Sequence, residues 1–178
     1  MKRMKRISFW NLWLVSIMGG ILVGTIWANL LGGELLKQIG YFDGIFQTGK
    51  GLDRDARRQL WGYVVRQRLC EAGFGGLLAM TPVAAPGYLV LSFGTGMAIA
   101  LVIAVFTLEK GWMGLGYWLG AVLPHGLCYG AVWLIFVAAI KERQDLRKIR
   151  IWRLTGILVM GGCVLEVWVN PWIVEMFF

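Results

Sequence analysis

Apolar residues run in five long stretches along the chain, and charge collects between them. The stretches lie at residues 9–31, 61–80, 88–108, 112–140 and 154–169. Each comes close to the roughly 20 apolar residues that carry a helix across a bilayer. Short turn-forming segments separate the later ones: TPVAAPG at 81–87, with two prolines and no charge, and EKGW at 109–112. The pattern predicts an all-α, polytopic integral membrane protein, a single domain over 1–178 with about five transmembrane helices and no soluble module.

Charge then orients the helices. The segment MKRMKR at 1–6 places four positive charges before the first apolar run. No small-residue cleavage site closes that run convincingly, so it reads as a retained signal-anchor helix. The segment KERQDLRKIRIWR at 141–153 holds six basic and two acidic residues. By the positive-inside rule both lie in the cytoplasm, which gives an N-terminus in and a C-terminus out. The polar connection 32–68 then falls outside, with 32–60 as an extracytoplasmic loop and helix-like spacing at 35–46 and 52–69 that suits short interfacial helices. Its basic residues Arg54, Arg57, Arg58, Arg66 and Arg68 fit an external position poorly. Anionic lipid headgroups would accommodate them. The net charge of +8 follows from this flanking charge, and no basic, aromatic groove for nucleic acid accompanies it.

The chemistry-bearing residues are few. His125 is the only histidine and sits in Pro124-His125-Gly126, at the centre of the fourth stretch. Proline removes a helical donor and glycine tolerates unusual backbone, so helix 4 is expected to be broken at Pro124. Counted at 1.5 Å per residue, His125 lies roughly 22 Å and Glu166 roughly 18 Å from the inner face. The two are candidates for an intramembrane polar pair, since hydrocarbon offers neither a partner. The plainer alternatives are a kink with a satisfied histidine, and a Glu166 that snorkels toward the outer surface near Asn170-Pro171, where helix 5 is expected to end. Arg68 and Glu71, three residues apart, can pair on one helix face. Gly20 and Gly24 in helix 1, and Gly116 with Gly120 and Gly126 with Gly130 in helix 4, have the small-xxx-small spacing of close-packed membrane helices. Cys70, Cys128 and Cys163 show no CxxC spacing and read as small core residues. There is no HExxH, GxSxG or phosphate loop, so neither a catalytic site nor a metal or other cofactor is expected.

Several short segments, taken in order, are similar to a known family. They are Met18-Gly19-Gly20-Ile21 through Gly24, Asn29-Leu30, Glu109-Lys110-Gly111-Trp112 with Gly114-Leu115, Leu123-Pro124-His125-Gly126, and Glu166 with Asn170-Pro171. Together they resemble the stage II sporulation protein M (SpoIIM) family over most of the chain. Many relatives carry an acidic residue where this chain has Tyr129. The resemblance implies a non-catalytic scaffold of the sporulation engulfment complex. It would hold peptidoglycan-degrading partners, SpoIID and SpoIIP, at the septal membrane of the mother cell. The 32–68 connection and lipid-facing glycines would be contact surfaces, and a homo-oligomer is compatible with the latter. The alternative is a membrane subunit of a transporter working with a separate ATPase, with His125 and Glu166 lining a path.

Overall fold

The computed structural model describes residues 8–39, 54–142 and 149–177, and all five predicted helices are present in it. We number them α1 (Phe9–Ile39), α2 (Arg54–Ala79), α3 (Ala84–Lys110), α4 (Trp112–Glu142) and α5 (Ile149–Val164). A π-helical turn, Leu165–Val169, follows α5 and leads into α6 (Asn170–Phe177). The fold is all-α and polytopic. Phe9–Leu30, Ala84–Leu108, Trp112–Glu142 and Ile149–Ile173 are long and apolar enough to cross a membrane.

The second predicted span, 61–80, needs correction. Its helix starts at Arg54 and absorbs the interfacial helix expected at 52–69. With Arg54, Asp55, Arg57, Arg58, Arg66, Arg68 and Glu71 it lacks the composition of a membrane span. Packing nevertheless makes it cross the bundle. Ser16 Oγ donates to the Leu89 carbonyl at 2.6 Å, and Gly20 and Gly24 meet the backbone of Phe93 and Met97. Sequence numbers rise together along this contact, so α1 and α3 are parallel. The chain between them must return through the bundle, and α2 does so. It runs antiparallel to the last helix, with Trp61 against Trp168 at one end (4.8 Å) and Gly76 against Trp152 at the other. N- and C-terminal ends of the described chain thus lie at opposite ends of the bundle.

The core forms where α2 to α5 meet. Val64, Tyr88, Val132, Phe136, Val137, Val159, Cys163 and Val167 are buried there. Tyr88 donates its hydroxyl to the Gly75 carbonyl at 2.8 Å, which ties α3 to α2. The expectation of small core cysteines fits Cys163 alone, since Cys70 is exposed and Cys128 half-buried. The turn after α2 is tighter than expected, because Pro86 sits in the first turn of α3, where a missing N–H costs nothing. Gly111 makes the α3–α4 turn with φ 61°, a conformation that suits glycine.

Two predicted interruptions fall elsewhere. Helix α4 is continuous through Pro124 and Gly126 rather than broken. Proline deletes one donor, and its fixed φ is itself helical. The chain likewise stays helical through Asn170-Pro171. The irregularity lies at Leu165–Val169, where the Asn170 N–H reaches back to the Leu165 carbonyl. Residues 143–148 of the predicted cytoplasmic loop and 40–53 of the predicted 32–60 loop lie outside the described residues, and the rest of 32–60 is helical, as the ends of α1 and α2, rather than loop.

Gly20 and Gly24 are buried at the α1–α3 contact, and Gly96 faces the Ile17 carbonyl from the other side. The α4 glycines behave differently. Gly116 and Gly130 are exposed. A Cβ at Gly120 would touch only Ile173, at 3.5 Å, and at Gly126 only Val122 of the same helix, at 3.3 Å. The tight approaches of α4 are Gly114 against the Phe106 backbone and Tyr129 against Gly162. Gly20→Ala should therefore cost about 1–3 kcal/mol by overpacking α1 on α3. Gly130→Ala should stay within about 0.5 kcal/mol of the parent. Denaturant unfolding of the purified protein in detergent reads both.

Candidate functional site

A string of polar side chains crosses the bundle at mid-height, and its members come from α2, α4, the π turn and the first residue of α6. Arg68 is its hub. In α2 the buried stripe contains Val64 and Gly75, and Arg68 falls on the same face. Its Nε donates to Glu166 Oε2 at 3.0 Å and its Nη2 to Oε1 at 2.7 Å. This bidentate geometry is the strong form of an arginine–carboxylate contact. Arg68 Nη1 also reaches Glu71 at 2.9 Å, the predicted i,i+3 pair, and Gln67 donates to the other Glu71 oxygen at 3.1 Å.

Tyr129 completes the anion's coordination. Its hydroxyl donates to Glu166 Oε2 at 2.8 Å, and its ring lies 4.7 Å beneath the Arg68 guanidinium. Glu166 thus accepts from two helices while sitting on a third. Glu166 is the second residue of the π turn. Asn170, at the far edge of that turn, points into α4. It donates to the Ala121 carbonyl and contacts His125 Nδ1. Ala121 is one residue past Gly120, whose carbonyl loses its helical donor at Pro124.

His125 and Glu166 are brought to the same region but not to each other. His125 bonds Asn170, and its ring packs 5.6 Å from that of Tyr129. Glu166 bonds Arg68 and Tyr129. The three residues that complete the network, Arg68, Tyr129 and Asn170, were not read as its members. A usable signal was present for the first. Arg68 lies 11 residues above Ala79, roughly 17 Å from the inner turn, which is nearly the depth of Glu166. Tyr129 and Asn170 carried no comparable mark.

Beside Arg68 lies a half-open cleft of about 110 Å³, lined by Arg68, Glu71, Tyr129, Trp133, Phe136 and Val159. It would hold a few waters and falls below the roughly 300 Å³ at which organic-ligand pockets begin. Among the described residues no three His, Cys, Asp or Glu side chains gather into a metal site. The chemistry on view is that of an internally bonded cluster, one guanidinium between two carboxylates. Its charges face one another, and its hydrogen bonds cross between helices.

No family model matches the chain, and no curated protein or solved structure is similar to it.

If the cluster joins the helices, Arg68 and Glu166 should be energetically coupled. Both side chains are about a fifth to a quarter exposed, 24% and 21%, so the loss should fall below the 3–5 kcal/mol of a fully buried broken pair. A double-mutant cycle of Arg68→Met and Glu166→Leu, read by unfolding in mixed micelles, should return a coupling of about 1–3 kcal/mol. Tyr129→Phe should cost about 1 kcal/mol on its own.

Proposed function

We propose that this multi-pass membrane protein is a non-catalytic scaffold. It holds peptidoglycan-degrading enzymes at the septal membrane during engulfment, as the SpoIIM resemblance implies. The observation that carries the reading is the internal pairing of the deep polar groups. Arg68, Glu166 and Tyr129 bond one another across three helices, and His125 bonds Asn170. Their hydrogen bonds run between helices and fix helix positions, which is what a docking platform requires. The partners would be enzymes of the SpoIID and SpoIIP type, and the site of action the mother-cell side of the septum.

A second reading has one observation in its favour. The cleft beside Arg68 and Glu71 is half-open and polar at one end, as a segment of a transport path would be. In that reading the chain pairs with a separate ATPase. Affinity purification of the tagged protein from its own host, after gentle solubilisation, separates the two. Wall hydrolases should co-purify from cells entering sporulation and be absent from growing cells. Recovery of an ATP-binding subunit in both states, without a hydrolase, would overturn the scaffold.

A further inference from the structure

The outward faces of α1 and α2 differ in kind. That of α1 carries Leu14, Val15, Met18, Leu22, Ile26 and Leu30, all exposed and all apolar. Such a surface suits lipid. At matching heights the surface of α2 that points away from the bundle presents Gln59, Gly62, Tyr63, Arg66, Gln67 and Cys70, also exposed. Leu60 and Leu69 are the exposed aliphatic residues within this stretch, and nearer the inner end Phe74 and Leu77 restore an apolar surface.

Arg66 is the decisive residue. It stands 13 residues above the end of α2, roughly 20 Å from the inner turn. Among the described residues it has no ion pair or hydrogen bond. A lone arginine facing hydrocarbon near a helix centre costs about 2.5–3.5 kcal/mol. Charged residues at such depth ordinarily face protein. Snorkelling would relieve Arg66 in part but would leave the Gln67–Glu71 pair facing lipid.

A second copy of the chain is a poor cover for this face. Among the described residues the carboxylates at this height are Glu71 and Glu166, and both are already bonded to Arg68. A symmetric pairing of α2 with α2 would also set Arg66 against Arg66. We propose that the outward face of α2 docks a transmembrane helix of a different protein, one that carries an aspartate or glutamate at the height of Arg66. The carboxylate completes a guanidinium–carboxylate pair, and the helix covers the strip from Gln59 to Cys70. This deepens the scaffold reading and rests on it for the partner's biological identity. The face itself can be tested without that identity.

The test uses the full chain in vesicles of zwitterionic lipid with synthetic transmembrane peptides of leucine and alanine. One peptide has a single aspartate at the height of Arg66 and the other a leucine there. Energy transfer between labelled protein and peptide reports association. The aspartate peptide should bind at least about tenfold more tightly than the leucine peptide, and Arg66→Leu should erase the difference. Arg66→Gln serves as a second variant, with unfolding curves showing that both variants keep the fold. Equal binding of the two peptides, or a preference that survives Arg66→Leu, would overturn the proposal. So would efficient Cys70-to-Cys70 cross-linking between copies in the native membrane. Failure here would leave hydrolase recovery from sporulating cells unaffected, so the two readings can fall separately.

Discussion

The bidentate pair of Arg68 and Glu166 is what allows the second helix to be inside the bundle at all. Two consecutive apolar helices, α1 and α3, run in the same direction, so the segment between them has to cross back. That segment is the least apolar helix of the five. A guanidinium taken to mid-height without a partner would be expelled by the hydrocarbon. Glu166 meets it with two hydrogen bonds, and Tyr129 fixes the carboxylate from a third helix. One ion pair thereby converts an apparently amphipathic surface segment into an interior strut.

The π turn is the second requirement. The turn and the residue after it carry the two polar side chains that the last helix contributes to the cluster, Glu166 and Asn170. With the turn in place Glu166 reaches toward α2, and Asn170 reaches toward α4, near Pro124. The bent feature that the helix pattern suggested for α4 is thus displaced onto the helix that packs against it. Pro124 removes the donor to the Gly120 carbonyl, and Asn170 bonds the next carbonyl along, that of Ala121.

Much of the fold was legible from hydropathy alone. The number, order and approximate limits of the helices follow from run length and from the charged or proline-bearing breaks between them. Gly20 and Gly24 showed the tight seam of α1 in their spacing. Helix α4 shows where that logic ends, because Gly126 and Gly130 have the same spacing and, among the described residues, no tight neighbour on another helix. Spacing says that a close approach is possible, and only the facing helix decides whether it occurs. The site was legible in part. Residues at common depth were visible for His125 and Glu166, yet depth fixes height and not azimuth. Glu166 faces Arg68 and Tyr129 while His125 faces Asn170, and no local residue choice announces that pairing.

The crossing of α2 is the claim on which topology, polar cluster and docking face all depend. It is tested most directly by the sidedness of the two ends of that helix. Single cysteines at Asp55 and Thr81, introduced after replacement of the three native cysteines, can be labelled with a membrane-impermeant maleimide in intact spheroplasts and in inverted vesicles. We expect Asp55→Cys to label from outside and Thr81→Cys only from the cytoplasmic face. Labelling of both positions from the same side would place α2 on the membrane surface and contradict the crossing.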